Sequence, residues 1–296
     1  MASKVAILKT LIYSDIFDFP LTKEDLWRFL VVARSVDRTS FEKALNEFPP
    51  VKWEHKWEHR KGFYFLSGRE KIVSKRIKRK KESQKKLNLA GKVIQKLSLV
   101  PTVLFVGISG GLALENSDEK DDIDLFVITS KNSLWITRLI LVLLLILMGQ
   151  YRGRGNPPLG GESNKICLNM LIDEKGLMLE RSRQNLYTAH EIVQLKPIFD
   201  RNSTYNKFLS ANKWVTKFLP NGIVIKKLSN EVIKNKKLNY PITDLLNYLA
   251  KAIQLWYMKE HRTRETVGDH FLAFHPFEYK DHVLKEYNKR LKQYEV

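Results

Sequence analysis

The sequence predicts an α+β protein in which a small mixed β-sheet lies between a helical N-terminal part and a helical C-terminal part. Three short runs rich in β-branched and aromatic residues, at 102–109, 123–130 and 165–173, indicate strands. The segments before and after them carry apolar residues at helical spacing. We therefore expect a sheet-containing core over 98–198 and a helical C-terminal domain over 199–296.

The N-terminal part, residues 1–68, predicts a winged-helix-like domain of three short helices and a hairpin. Thr22 is placed to cap the second helix, and Thr39 with Glu42 forms a capping-box pattern at the start of the third. Residues 60–62 suit the turn of the hairpin. The third helix carries both basic and acidic residues, so a protein contact or a structural role is expected ahead of DNA binding.

Residues 69–97 predict a connector helix that is densely basic and contains no proline. Its apolar residues form an imperfect stripe at helical spacing, which leaves a charged face outward. A solvated face is the simpler interpretation. The alternative is that this helix lies along the phosphate backbone of RNA or DNA.

Composition favours a globular protein with polyanionic partners. The chain has 296 residues, of which 44% are hydrophobic, and 51 Lys and Arg against 32 Asp and Glu give a net charge of +19. Its single cysteine, Cys167, excludes an internal disulfide and fits a reducing cytoplasm. The N-terminus lacks the pattern of a signal peptide, so a cytoplasmic location is expected.

An apolar run from Leu139 to Met148 raises the question of a membrane segment. A bilayer-spanning helix needs about 20 predominantly apolar residues, and Arg138 limits this run on its N-terminal side. We expect a buried helix over Leu134–Met148, packed against the sheet. A membrane partner is therefore not expected, although a membrane-associated protein is retained as an alternative.

Two carboxylates one residue apart, Asp122 and Asp124, open the second predicted strand. Alternate residues of a strand share a face, so these side chains point to one place with Cα atoms about 7 Å apart. Like charges at this distance favour a cation, and Mg²⁺ prefers carboxylate and phosphate oxygens. Upstream, the turn Ser109-Gly110-Gly111 follows a strand and begins a predicted helix, where backbone N–H groups and glycine favour a phosphate.

Gly110-Gly111, ten intervening residues and then Asp-Ile-Asp-Leu from Asp122 resemble the signature of the DNA polymerase beta-like nucleotidyltransferase superfamily. The segments LIYSDIFDFPLT, KICLN, LYTAHE and FHP resemble uncharacterised bacterial and archaeal nucleotidyltransferase-domain proteins. The resemblance implies a nucleotidyltransferase core that holds one or two Mg²⁺ ions at Asp122 and Asp124. It implies an enzyme that moves a nucleoside monophosphate from a nucleoside triphosphate to a hydroxyl group.

The superfamily also implies a third carboxylate on a later strand. On the third predicted strand, Asp173 is the first candidate, whereas the mid-strand polar residue is the neutral Asn169. Glu191 is the second candidate. A site with only two acids is the remaining alternative, and it would favour a non-catalytic nucleotide sensor or a nucleic-acid-binding regulator.

Candidate triphosphate ligands lie near the acid pair in the sequence. Arg152 and Arg154 belong to a glycine-rich segment, and Lys165 precedes the third strand. Ser109 is expected to donate a hydrogen bond to phosphate. The acceptor hydroxyl, on nucleic acid, protein or a small molecule, is not specified by these residues.

Overall fold

The computed structural model describes residues 2–46, 56–152, 163–223, 240–259, 266–274 and 277–296. Within them, a six-stranded mixed sheet lies between two layers of helices. The α+β class expected from the sequence is confirmed at this level.

The N-terminal part has the expected order of three helices and a two-stranded antiparallel hairpin. The elements are α1 (Ala2–Asp15), α2 (Lys23–Arg28), α3 (Arg38–Asn46), β1 (Trp57–Arg60) and β2 (Phe63–Leu66). Thr22 caps α2 and forms a capping box with Asp25. At α3 the cap differs from the expectation, because the Asp37 carboxylate accepts the backbone N–H of Ser40 at 2.8 Å. The helix therefore begins two residues earlier than it would with Thr39 as its cap.

The basic connector is a single helix, α4 (Lys71–Leu97). Several of its cations are not solvated, because they hold the loop that leads to Asp122. Arg76 donates to the Glu115 carbonyl, and buried Lys86 donates to the Asp121 carbonyl. This helix therefore positions the acidic loop as well as joining two parts of the chain.

The central sheet has the strand order β6-β3-β4-β5-β8-β7. Its strands are β3 (Val103–Ile108), β4 (Ile123–Thr129), β5 (Ile166–Asp173), β6 (Lys196–Asp200), β7 (Thr266–Val267) and β8 (Phe271–Ala273). β4 and β5 are parallel, and the other neighbouring pairs are antiparallel. β3, β4 and β5 lie where the sequence predicts strands, so both acid-bearing segments are at the centre of the sheet.

The remaining helices cover both faces of the sheet. They are α5 (Gly110–Ala113), α6 (Leu134–Leu147), α7 (Leu186–Gln194), α8 (Thr204–Ala211), α9 (Tyr240–Lys259) and α10 (Phe277–Tyr294). The C-terminal region is not wholly helical, since it returns to the sheet as β7 and β8. These strands have only two and three residues, too few to show a period-2 pattern in the sequence.

Side chains from alternate positions of β4 enter two hydrophobic clusters. Phe126 and Ile128 pack on one side with α1, α7, α8 and α10, whereas Leu125 and Val127 pack on the other with α4, α6 and α9. Asp124 has the same parity as Phe126, so it faces the first side. Among the described residues, the structure contains no helix both long enough and apolar enough to cross a bilayer.

Candidate functional site

The two acids lie at the start of β4, as the sequence predicts. One oxygen of Asp122, one oxygen of Asp124 and the sulfur of Cys167 all lie within 4.8 Å of one another. Cys167 is the register partner of Asp124 on the parallel strand β5. Parallel pairing therefore places the thiol beside the carboxylate pair.

Each acid already has a partner within the protein. The Arg152 guanidinium donates to Asp122 in a short ion pair. The Cys167 thiol donates a hydrogen bond to Asp124. The sequence predicts Arg152 as a triphosphate ligand, and the structure shows its guanidinium paired with a carboxylate of the site.

Asp124 is electrostatically strained in its ionised form. Burial, the neighbouring Asp122 charge and the more distant Glu191 charge raise the pKa of its carboxyl group above the ordinary aspartate value. The Cys167 hydrogen bond and Arg152 act in the opposite direction without cancelling these effects. A cation bound here would relieve the repulsion between the acids.

The Ser109-Gly110-Gly111 turn lies directly against Asp124. The backbone N–H of Ser109 donates to the Asp124 carbonyl at 3.0 Å. Gly110 has a φ of 63°, and a Cβ built on it would lie 3.2 Å from Oδ2 of Asp124. Glycine is required here both for the left-handed backbone conformation and for the close approach of the turn to the carboxylate.

The donor atoms at the acid pair fit a hard divalent cation. Two carboxylates on neighbouring positions are the usual protein contribution to a Mg²⁺ site, with phosphate oxygens and waters as the other ligands. Cys167 does not suit Mg²⁺ as a ligand, and burial raises the pKa of its thiol, which disfavours the thiolate. Asp122 and Asp124 would therefore hold the ion, with Cys167 as a neutral neighbour.

Asp173 does not lie at the acid pair. It pairs with Thr129 at the far end of β4, six residues along β5 from Cys167, which corresponds to about 20 Å. Its buried carboxylate accepts the backbone N–H groups of Asn132 at 3.0 Å and Lys175 at 2.9 Å, and it contacts His270 at 2.8 Å. Because β4 and β5 are parallel, the C-terminal end of β5 lies beside the C-terminal end of β4, far from Asp122 and Asp124. The expectation that Asp173 completes the site is wrong.

Glu191, the second candidate, lies on the correct side of the sheet. It belongs to α7 and lines a cavity together with Asp124, Gly110 and Gly111. Burial raises the pKa of its carboxyl group to about 7. It is thus the acid that the structure brings to the same cavity as the pair.

The other predicted triphosphate ligands differ in their contacts. Ser109 lines a second cavity, and its hydroxyl is 3.5 Å from the amide nitrogen of buried Asn169. The Lys165 ammonium donates to the Gly149 carbonyl at 2.5 Å, so it is directed to the end of α6. Arg154 lies outside the described residues.

Several lining residues are not indicated by the sequence motifs. Tyr13 from α1, Tyr187 from α7 and Tyr279 from α10 meet around the cavity that contains Asp124. Arg183 and Lys280 line the second cavity, and Tyr187 and Glu191 line both. These residues come from segments far apart in the sequence, so only the packing of α1 and α10 over the sheet brings them together.

Comparison with known proteins adds no assignment: no protein-family model, no curated protein and no solved structure matches the chain.

Proposed function

We propose that the protein is a Mg²⁺-dependent nucleotidyltransferase that moves a nucleoside monophosphate from a nucleoside triphosphate to a hydroxyl acceptor. The observation that carries the proposal is the contact between the Gly110 turn and the Asp124 carboxylate. This contact supports the proposal because a glycine turn at a helix start favours a phosphate, and a carboxylate pair beside it favours Mg²⁺. Glu191, in the same cavity, supports the enzyme over a binding protein.

In the proposed reaction the acceptor oxygen attacks the α-phosphorus, the bond to the β-phosphate breaks, and pyrophosphate leaves. Asp122 and Asp124 would hold a Mg²⁺ ion, which would supply charge neutralisation at the phosphates. Glu191 takes the proton of the acceptor hydroxyl. A carboxylate whose pKa is raised to about 7 is a better base at neutral pH than an ordinary glutamate.

Two cations and two tyrosines extend the proposal to substrate binding. Arg183 and Lys280 line the cavity beside Ser109 and are suited to the phosphates. Tyr187 and Tyr279 offer aromatic faces that can stack on a nucleobase, whereas Tyr13 is buried and stacked on His190. No feature of these residues selects one base.

A nucleotide sensor is the second candidate, because β5 presents neutral Cys167 and Asn169 on the acid-pair side, where the superfamily resemblance implies a third acid. Nucleoside triphosphates labelled at the α- or the γ-phosphate distinguish the two when incubated with protein, Mg²⁺ and total cell RNA. The enzyme transfers the α-label to an acceptor and releases the γ-label in pyrophosphate. A sensor binds nucleotide and transfers neither label, and the Asp122→Asn/Asp124→Asn variant is the control for both.

A further inference from the structure

Helix α9 packs against α6 through two amide side chains as well as Ala250 and Met258, and many of its other apolar side chains are exposed. On the inner side, the Asn247 amide oxygen accepts the backbone N–H groups of Trp135 at 2.8 Å and Ile136 at 3.2 Å. Buried Gln254 donates to the Trp135 carbonyl at 2.8 Å and accepts from Arg138. These hydrogen bonds attach α9 to α6, so the orientation of the helix is fixed by its amides.

Apolar side chains are exposed on the outer side of α9 and at the C-terminal end of α6, and we call these two sets together the α6–α9 face. Its exposed members are Leu143, Ile146, Leu147, Leu245, Leu246, Tyr248, Leu249, Ile253, Trp256 and Tyr257. Leu147 is 83% exposed and Trp256 is 78% exposed. A surface helix of a globular protein normally turns its apolar residues to the core, so this many exposed apolar side chains indicate a binding surface.

Two exposed lysines of α4 lie near this layer. Ala90 and Val93 of α4 pack in the hydrophobic cluster that contains α6 and α9, on one side of the sheet. Lys92 and Lys96 belong to this part of α4 and are exposed, whereas the lysine-rich N-terminal half of α4 packs against the hairpin and the acidic loop. Glu82 is the one acidic residue within this helix.

We propose that the α6–α9 face binds the surface of an anionic membrane, with α9 lying in the plane of the lipid headgroups. Apolar side chains beside tryptophan and tyrosine suit the boundary between headgroups and acyl chains. Lys92 and Lys96 of α4 and the net charge of +19 complement anionic lipid. The same charges oppose a second copy of the chain on this face, because pairing would bring two strongly basic molecules together.

This orientation leaves the acid pair accessible. Asp124 faces the side of the sheet covered by α1, α7 and α10, opposite to the layer that contains α9. Membrane binding is therefore independent of the proposed transfer reaction. It departs from the first sequence-based expectation, that no membrane partner exists, and agrees with the alternative of a membrane-associated protein.

Sedimentation with lipid vesicles tests the proposal on the full chain. We expect binding to vesicles in which about a third of the lipid is phosphatidylglycerol, and much weaker binding to phosphatidylcholine alone. The variant Trp256→Ser/Tyr257→Ser should reduce affinity about tenfold or more. Met178→Ser, at an exposed methionine beside the other hydrophobic cluster, is the matched control and should bind like the parent.

Circular dichroism and thermal unfolding verify that the double variant is folded, which is expected because both side chains are mostly exposed. Equal vesicle binding by the parent and the double variant would overturn the proposal. So would a parent that fails to bind anionic vesicles. A parent that sediments as a dimer without lipid and a double variant that sediments as a monomer would assign the face to a second copy instead.

Discussion

Gly110 lies so close to Asp124 that a Cβ on the glycine would stand 3.2 Å from the carboxylate oxygen Oδ2. The turn after β3 and the first acid-bearing residues of β4 are therefore parts of one structure. Gly110 combines a left-handed backbone with this close contact, whereas Gly62 has only the left-handed backbone. Comparing substitutions at the two glycines therefore separates the effect on the fold from the effect on the site.

Gly110→Ala should abolish nucleotide binding and destabilise the fold by about 1–2 kcal/mol, the cost of a left-handed alanine. The matched control is Gly62→Ala, where φ is 80° but no atom lies within 4 Å of the built Cβ. Both variants carry the backbone strain, and only the first disturbs Asp124. Thermal unfolding measures the change in stability, and nucleotide titration measures the change in affinity. Equal nucleotide affinity in the two variants would show that the Gly110 turn takes no part in nucleotide binding.

Glu191→Gln should remove transfer activity while the protein stays folded, because the amide cannot take a proton from the acceptor. Burial raises the pKa of Glu191, so the neutral glutamine should not destabilise the fold at neutral pH. Asp173→Asn is the contrasting variant. It should cost about 1–3 kcal/mol through the lost charge-assisted hydrogen bonds, with activity per folded molecule retained. If Asp173→Asn loses activity and Glu191→Gln keeps it, the assignment of the third acid is reversed.

His190 should make stability depend on pH. Its ring is buried and stacks on Tyr13 with centroids 3.9 Å apart, and burial lowers its pKa to about 3 from 6.5. The unfolded chain therefore binds a proton that the folded chain excludes between these values, so stability falls as pH decreases from 6.5 towards 3.

The His190→Gln variant isolates this contribution. The free-energy difference between parent and variant should change by about 1.4 kcal/mol per pH unit in that window. Glu191, whose raised pKa has the opposite effect between 4.5 and about 7, is present in both proteins. Denaturant unfolding at several pH values gives the free energy of unfolding of each protein. If the parent and His190→Gln show the same dependence of this free energy on pH, the lowered pKa of His190 is contradicted.

The outward charges of α4 give a test of nucleic-acid binding. Lys78, Lys80 and Lys81 are exposed, whereas Arg79 contacts Asp118 at 3.6 Å and Lys86 holds the acidic loop. Replacing the three lysines with glutamine should flatten the salt dependence of RNA binding by about one unit of log–log slope per lost phosphate contact. An unchanged slope would leave α4 a structural connector.

Local spacing along the sequence predicts how the acid pair is arranged. The strand period predicts that Asp122 and Asp124 lie together and that the Gly110 turn lies beside them, and the structure shows both contacts. The sequence does not predict where Asp173 lies, because a strand pattern does not specify the register between strands. In the observed parallel pairing, Asp173 lies beside Thr129 at the far end of β4. The sequence could not place Tyr13 or Tyr279 in the cavity, since both depend on how distant helices pack over the sheet.

The apolar run of α6 shows a similar limit. Its length correctly predicts a helix, and Leu141 and Leu145 are buried as expected. The exposure of Leu147 on α6 and of Trp256 on α9 was not predicted. The side of α9 that meets α6 carries the amides Asn247 and Gln254 beside Ala250 and Met258. A hydrophobic pattern alone would turn these amides outward.

Calorimetric titration of a nucleoside triphosphate, with and without Mg²⁺, is the most direct test of the acid pair. The parent protein should bind in a Mg²⁺-dependent manner, and Asp122→Asn/Asp124→Asn should lose that dependence. The variant should remain folded, because removing two like charges relieves the repulsion that raises the pKa of Asp124. A folded double variant that binds the Mg²⁺ complex as tightly as the parent would contradict the assignment of the site.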